Sequence, residues 1–477
     1  MLADLKPYPV MKNSGVPWLG SVPEHWDIRR GKWLFRYRKQ INSDRTSTNV
    51  LSLTLRGVVN NDPDNPEGLV PKDYATYQLF RKGDLVFKLI DLENLRTSRV
   101  GLVHEDGIMS SAYVRLTSHA VVDIRFFFQQ YFDLYQRGIY NQLGAGVRST
   151  LGQDDLLNLS VVVPPLFEQA AIVHFLNYAD RRIQRYIHAK QKLIKLLEEQ
   201  KQVIIHRAVT RGLDPSVPFK PSRVEWLGDV PEHWEMWQIG HFSRVGNGST
   251  PSRGTAAYWT GGHYPWLNSA YANQESITRA DQFVTDIALQ ECHLPIVPPS
   301  SVLVAITGQG KTRGKAAVLH IEATINQHMA FITPRPNVTS ADYLRLALHG
   351  AYSQLRSISD DSGSTKGALT CADLKHFQLA LPPLHEQGVI LEAVQNETRV
   401  TSAAIDRAQR DIALLREYRT RLISDVVTGK LDVREAAARL PDEPAASEQL
   451  DESEALAEGE ESGDDADPGA APEEAEA

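Results

Sequence analysis

Two long stretches of the chain carry apolar residues at steps of three and four with charged residues between them, the pattern of a helix that buries one stripe. The first runs from about residue 166 to 209 with no Pro or Gly inside. Ile183, Ile187, Ile194, Leu197, Ile204 and Ala208 form its stripe, with Tyr186 and Leu193 beside it. The second runs from about 384 to 427, with Ile405, Ala408, Ile412, Leu415, Leu422 and Val426 in line and a single glycine, Gly388, near its start. Such spacing predicts a coiled coil, and Gly212 and Gly429 read as helix stops. Each helix is charged on its outer face, so an isolated helix would leave its stripe in water. Two matching stripes in one chain predict that the helices pair, antiparallel, with each other. The alternative is that each packs only on its own globule.

Before each helix the periodicity changes to short strand-like runs broken by turn residues. In residues 26–163 the runs are 50–55, 84–90 and 99–103, followed by a helical patch at 124–135. In residues 234–381 they are 301–306 and 316–320 around a glycine- and lysine-rich turn, followed by an apolar patch at 343–348. The expected fold is α+β: two globular α/β domains in tandem, each followed by a long helix, the helices pairing as an antiparallel coiled coil. The expected limits are 1–163 for the first globule, 164–212 for its helix, 213–381 for the second globule, 382–430 for its helix and 441–477 for a tail.

The chain also repeats itself. The segment Trp18-Leu19-Gly20-Ser21-Val22-Pro23-Glu24-His25-Trp26 returns 208 residues later as Trp226-Leu227-Gly228-Asp229-Val230-Pro231-Glu232-His233-Trp234. Pro164-Pro165-Leu166-Phe167-Glu168-Gln169 returns 218 residues later as Pro382-Pro383-Leu384-His385-Glu386-Gln387. Between these blocks the two halves barely resemble each other. A fixed frame holding two different inserts suggests one chain that reads two different things. His25, Trp26, His233 and Trp234 belong to the frame, so they are expected to pack globule against helix rather than to recognise a ligand.

Composition adds a correction to the charge. The net charge of -8 is misleading, because 15 of the 59 acidic residues and no Lys or Arg lie after residue 441. The remainder of the chain is mildly basic, at +7, which permits a polyanionic partner. The acidic tail is poor in large apolar residues and is expected to be disordered. No apolar run reaches the ~18 residues of a membrane span. The two cysteines, Cys292 and Cys371, and the lack of a signal-like N-terminus fit a cytoplasmic protein without structural zinc or disulfides.

These blocks resemble the specificity subunit of type I restriction–modification systems. The resemblance rests on the doubled Pro-Pro-Leu-x-Glu-Gln helix opening and the doubled Trp-Leu-Gly-x-Val-Pro-Glu-His-Trp segment. It extends to Gly146-Val147-Arg148-Ser149-Thr150-Leu151, to Gly248-Ser249-Thr250-Pro251-Ser252 with Tyr264-Pro265-Trp266-Leu267, and to Thr324-Ile325-Asn326-Gln327. The acidic tail is not part of it. The resemblance implies that each globule is a target-recognition domain reading half of a split, asymmetric site on double-stranded DNA. It implies that the helices set the gap and dock two methyltransferase subunits. Glu168, Gln169, Glu386 and Gln387 at the helix openings, with Ile183, Ile187, Ile194, Leu197, Ile405, Ile412, Leu415 and Leu422 along them, are the residues assigned to spacing and docking. S-adenosylmethionine is expected on those partners and no cofactor on this chain, and a motor-nuclease subunit joins where the system cleaves. The chain itself is expected to do no chemistry.

The residues themselves offer few catalytic alternatives. The segment 305–312 fits a loose P-loop pattern, but a phosphate-cradling loop needs a helix directly after it. Residues 313–319 read instead as a turn into a strand, giving a hairpin that carries Gln309, Lys311, Arg313 and Lys315. Lysines and arginines in such a loop suit phosphates, and Gln309 or Arg313 suits base edges. The matching region of the first globule carries Lys88, Asn94, Arg96 and Arg99, either as DNA contacts or as a solvated loop. Arg148 and Lys366 hold equivalent places before the Pro-Pro blocks, as phosphate contacts or local caps. Asn326 and Gln327 offer amides for adenine edges or for buried hydrogen bonds. Leu or Val surrounds each Pro-Pro where an amino-methyltransferase would need Asn or Asp before and an aromatic after, so Pro-Pro is a rigid helix start. Rival functions are a scaffold that binds only protein and a P-loop nucleotidase.

Overall fold

A computed structural model describes residues 5–54, 57–66, 71, 73–89, 100–143, 151–308, 310–360 and 367–441. The tail after 441 lies outside the described residues. In chain order the elements that position the site are β1 (Asp27–Arg30), β2 (Phe35–Tyr37), β3 (Leu85–Phe87), β4 (Val100–Leu102), β5 (Val114–Ser118), α1 (Ile124–Gln136), β6 (Ser160–Val163) and α2 (Leu166–Arg211). The second half holds β7 (Glu235–Gln238), β8 (Ser243–Asn247), β9 (Tyr264–Leu267), β10 (Ser301–Ala305), β11 (Ala316–Leu319), β12 (Thr324–Ile325), β13 (Met329–Pro334), α3 (Ala341–Gly350), β14 (Gln378–Leu381) and α4 (Leu384–Val427).

The chain divides into two units, Met1–Ala189 with Arg410–Ala445, and Lys190–Gln409. This division cuts both long helices. The first unit joins the opening half of α2 to the last turns of α4. The second joins the closing half of α2 to the opening of α4. The helices therefore run antiparallel.

In the first unit the sheet order is β2-β5-β3-β4, with all neighbours antiparallel. Its core collects Phe35, Leu85, Phe87, Leu116, Phe126, Phe127 and Tyr131 from the sheet and α1. Onto these pack Ile172, Phe175 and Leu176 of α2 and Leu422, Val426 and Val427 of α4. Arg419 of α4 and Asp180 of α2 form an ion pair. Strand β1 pairs antiparallel with β6, Asp27 opposite Val163, and so ties the shared segment to the residue before the Pro-Pro block. In the second unit a sheet of order β8-β13-β10-β11 continues to a short parallel strand, Ser276–Ile277. Strand β7 pairs with β14 in the same relation as β1 with β6, Glu235 opposite Leu381. Its core gathers Val302, Val304, Ile332, Tyr343 and Leu344, with Ile205, Ala208 and Val209 of α2 and Ile390 and Val394 of α4.

The stripes behave as helix geometry requires. Ile183, Ile187, Ala208, Ile405, Ala408, Ile412 and Leu422 are buried, while Ile194, Leu197 and Leu415 are half-buried. At the end of α2 the buried residue is Ile205 rather than Ile204. A straight α-helix drifts against a 3.5-residue repeat, and here the last turns face the second globule instead of a partner helix. Where the stripe of α4 lacks an aliphatic residue, Thr398 and Thr401 fill it, and Thr398 Oγ1 donates 2.7 Å to the Val394 carbonyl.

The helix stops also carry packing. Gly429, with φ of 76°, sits where a Cβ would lie 2.3 Å from Pro23 and 2.9 Å from the Trp26 ring. Only glycine fits, because both the left-handed conformation and the contact exclude a side chain. Asp432 then donates its backbone N–H 2.8 Å to the Lys6 carbonyl. The helix of the second repeat thus ends on the shared segment of the first globule. Equally, Gly212 at the end of α2 faces Trp234 and Pro231 in the second unit.

Candidate nucleic-acid interface

The repeated motifs meet as a clamp inside each unit. Glu168, with no exposed surface, accepts hydrogen bonds from Tyr8 Oη at 3.0 Å and Trp26 Nε1 at 2.9 Å, and lies 2.6 Å from His25 Nε2. Arg434 approaches it at 3.5 Å. In the second unit Glu386 takes Trp234 Nε1 at 3.1 Å and His233 Nε2 at 2.8 Å. The adjacent glutamines work on the other side. Gln169 accepts from the Asp123 N–H at 2.9 Å and donates to the Pro164 carbonyl at 2.8 Å. Gln387 accepts from Thr339 Oγ1 and donates to the Pro382 and Val338 carbonyls. The frame histidines and tryptophans thus lock globule to helix, as the sequence suggested. The docking role assigned to Glu168, Gln169 and Gln387 needs correcting: these side chains are buried and spent within the chain. The surface that the helices leave open consists of other residues, Phe167, Leu196, Val203, Val400 and Leu414 among them, each more than half exposed.

The second unit brings its sequence-selected loops to one sheet edge. Strands β9 and β12 run parallel, with Leu267 opposite Ile325. The Asn326 N–H donates to the Leu267 carbonyl at 2.9 Å, and the Ser249 N–H donates to the Ile325 carbonyl at 3.0 Å. Trp266 Nε1 closes the group on the Ser249 carbonyl at 3.3 Å. From the neighbouring sheet the Ile306 N–H reaches the His328 carbonyl at 2.9 Å, and Thr307 Oγ1 lies 2.6 Å from His328 Nδ1. Three of the four family-like motifs therefore converge: 248–252, 264–267 and 324–327.

The 305–315 segment is a hairpin, not a P-loop. After β10 the chain turns over residues 311–314 and enters β11, with the Gly314 N–H on the Ala305 carbonyl at 2.8 Å. No helix follows to hold a phosphate. Lys311 is exposed, and its carbonyl accepts from Tyr352 Oη at 2.8 Å. Lys315 is half-buried and donates 2.9 Å to Asn273. Arg313 departs from the expectation: its side chain is buried and ion-paired with Asp360, so it is turned away from any phosphate. Asn326 is also buried, its Oδ1 accepting from the His328 N–H at 3.1 Å. It shapes the turn rather than facing a base. Gln327 is exposed and bonded to Thr250 and His328. Gln309 and Lys366 lie outside the described residues.

In the first unit Lys88 is half-buried, and Asn94, Arg96, Arg99 and Arg148 lie outside the described residues. The anchors of these segments are nonetheless equivalent to those of the second unit. The Leu151 N–H donates 3.1 Å to the Leu89 carbonyl, and the Leu369 N–H donates 2.7 Å to the Ile306 carbonyl. Leu151 and Leu369 are separated by the 218-residue shift of the Pro-Pro blocks. The loop after β3 in one globule and the hairpin after β10 in the other thus start from the same place. Sequence reasoning missed one prominent feature of the first unit, the exposed basic run from Arg29 to Lys39. A local charge count would have found it.

One half-buried histidine makes the second unit sensitive to acid. His349 is pushed down to about 4, first by burial and then by the charges of Arg345 and Lys201. The unfolded chain, at an ordinary pKa near ~6.5, takes up the proton first as pH falls. The stability due to neutral His349 is complete above pH ~6.5 and is lost as pH falls towards about 4. In urea titrations His349→Phe is expected to narrow the stability difference between pH 7.5 and 4 by about 3 kcal/mol. An unchanged difference would contradict this assignment.

Among the described residues no group of His, Cys, Asp or Glu is placed to hold a metal, Cys292 and Cys371 are free, and no helix is long and apolar enough to cross a membrane. Each unit is an α+β globule on the repeated frame, packed against parts of both long helices. The family model for the type I restriction modification DNA specificity domain matches residues 231–409. The putative type I restriction enzyme MjaX specificity subunit of Methanocaldococcus jannaschii is 21% identical over 450 residues, covering 87% of this chain and 96% of that one. The EcoR124I/EcoR124II specificity subunit of Escherichia coli is 21% identical over 202 residues, 42% of this chain, and the match spans only 47% of that subunit's length. A solved structure concerned with complex assembly and conformational transition of the type I R-M system has a TM-score of 0.57 at 16% identity, over 86% of this chain and 99% of that one, a likeness of fold. The chain is thus similar to type I restriction–modification specificity subunits, and residues 231–409 carry the DNA specificity domain of that family model.

Proposed function

We propose that each globule reads one half of a split, asymmetric sequence in double-stranded DNA. On this reading the paired helices set the gap and carry the methyltransferase subunits, which bring S-adenosylmethionine. A motor-nuclease subunit joins where the system cleaves. The chain is the non-catalytic recognition component. The observation that carries the reading is the equivalence of Leu89–Leu151 and Ile306–Leu369: one frame presents two unlike loop clusters from the same anchoring points. Sequence is read at base edges, and loops differ where the bases differ. In the second unit Lys311, Lys315 and Gln327 are the candidate contacts. In the first, Lys88 is the described candidate, with Asn94, Arg96, Arg99 and Arg148 proposed from sequence. Partner docking is assigned to the exposed apolar residues of the helices rather than to the buried Glu168, Gln169 and Gln387.

The test is a methylome. The chain is expressed with its neighbouring methyltransferase subunit in a host lacking adenine methylation, and modified positions are mapped by long-read sequencing. The expected result is a bipartite asymmetric motif that disappears without this chain. Replacing residues 26–163 with those of another family member changes one half of the motif only. A soluble complex that yields no motif favours the protein-only scaffold. A phosphate contact by Lys311 predicts that Lys311→Ala weakens DNA binding by the purified complex at every sequence and reduces the salt slope of log affinity by about 1. An unaltered slope in a salt titration removes Lys311 from the interface.

A further inference from the structure

The basic run missed by the sequence analysis belongs to neither the frame nor the candidate reading loops. Arg29, Arg30, Lys32, Arg36, Arg38 and Lys39 are all exposed, and no Asp or Glu occurs from 28 to 43. Arg29 is paired with Asp27 at 2.7 Å. The other five meet no acidic partner among the described residues. The strip is held firmly. Arg30 lies opposite Ser160 in the β1–β6 pair and Arg36 opposite Thr117 in the β2–β5 pair, while Leu34 and Phe35 between them are plugged into the core. Trp33 stands out at 66% exposed among these cations. The corresponding stretch of the second globule, 237–247, contains a single basic residue of this kind, Arg244. A surface required for reading DNA through the shared frame would be present in both globules, and this one is not.

The chain that continues from this unit carries the opposite charge. Its last described turns, through Val433, Ala437 and Leu440, are packed into the core, and the 36 residues that follow Pro441 hold 15 Asp and Glu and no Lys or Arg. A chain of that length reaches up to ~120 Å at ~3.4 Å per residue, whereas a globule of this size has a radius of gyration of about 16 Å. Every part of the strip is within its span. Tethering raises the local concentration of the acidic segment to roughly millimolar. Lone cations gain most from such a partner, since separated surface charges are screened beyond ~8 Å at physiological salt.

We propose that the acidic segment 442–477 docks on the basic strip Arg29–Lys39 of its own chain, occupying it in place of DNA phosphates. The effect is to withhold a cationic surface from non-specific duplex while leaving the reading loops free. This does not depend on the half-site function, because it is read without methylation.

The experiment is carbodiimide crosslinking of the full chain at low salt, with linked peptides mapped by mass spectrometry. Lys32 and Lys39 are expected to join carboxylates of 442–477. The links are expected to vanish in 1 M NaCl and in the Arg30→Gln/Arg36→Gln/Arg38→Gln variant, which keeps both lysines. Tail carboxylates joined only to other lysines, joined only between chains, or not joined at all would overturn the proposal. A second measurement compares affinity for a non-specific duplex. Converting the tail's Asp and Glu to Asn and Gln is expected to raise it roughly tenfold, and the strip variant to cancel that gain. If the strip variant weakens duplex binding equally with the acidic and the neutral tail, the strip is a DNA surface and the tail does not cover it.

Discussion

Glu168→Ala is expected to destabilise the first unit by about 3–5 kcal/mol. The side chain is wholly buried and accepts from Tyr8 and Trp26 while touching His25. Removing it leaves donors in the core without a partner, at roughly 1–3 kcal/mol each, and leaves Arg434 facing a cavity. Glu386→Ala makes the internal comparison. Glu386 keeps 23% of its side chain exposed and has two partners from the frame, so water replaces part of what is lost and the cost falls to about 1–2 kcal/mol. Urea denaturation of both variants, followed by hydrogen exchange to locate the unfolding unit, checks the pair. Equal costs would mean that burial does not distinguish the two clamps. Because the clamp ties helix to globule, the first variant should also weaken every function that needs both.

Gly248→Ala is expected to cost on the order of 4 kcal/mol and to act on the candidate interface directly. A Cβ at this position would lie 1.8 Å from the Ile325 carbonyl oxygen and 2.4 Å from its carbon. Both are backbone atoms, so no rotamer change relieves the contact. Either the 247–250 segment or β12 must move. That movement breaks the hydrogen bonds from Ser249 to Ile325 and from Trp266 to Ser249, which hold the Asn326–Gln327 turn. Gly254→Ala is the control, since its Cβ would meet only Ser252 Oγ at 3.8 Å, and a change within about 0.5 kcal/mol is expected. Thermal unfolding of the two variants, with duplex affinity measured beside it, gives the answer. A Gly248→Ala chain as stable as the control would show that the strand crossing accommodates a side chain.

Much of the architecture was legible before folding was considered. Uninterrupted periodicity gave the long helices to within two residues, Leu166–Arg211 and Leu384–Val427, because a stripe sustained over many turns has no competing explanation. The strand-like runs at 84–90 and 301–306 became β3 and β10 with frayed ends, as expected where pairing partners set the limits. The 305–315 hairpin is legible in the sequence because the missing helix is a local property of the residues after Lys311.

Side-chain fate was not legible at the same level. Arg313 and Lys311 stand two residues apart in one turn, yet one is buried against Asp360 and the other is exposed. Glu168 and Gln169 looked like surface polar residues at a helix start and are among the most buried in the chain. Their partners lie more than 40 residues away or across the Pro-Pro corner, a distance that spacing alone does not encode.

The sequence by itself determined the doubled frame, the two helices, the α+β class of the inserts and the charge opposition between body and tail. These follow from periodicity, repetition and composition, which are properties of neighbours along the chain. Only the tertiary structure decided that each long helix ends on the other repeat's globule, that the Glu-Gln pairs are internal clamps, and that segments 248–252, 264–267 and 324–327 share one edge. Those outcomes depend on which distant backbone atoms can approach within hydrogen-bonding distance, as Gly429 against Trp26 and Gly248 against Ile325 make plain.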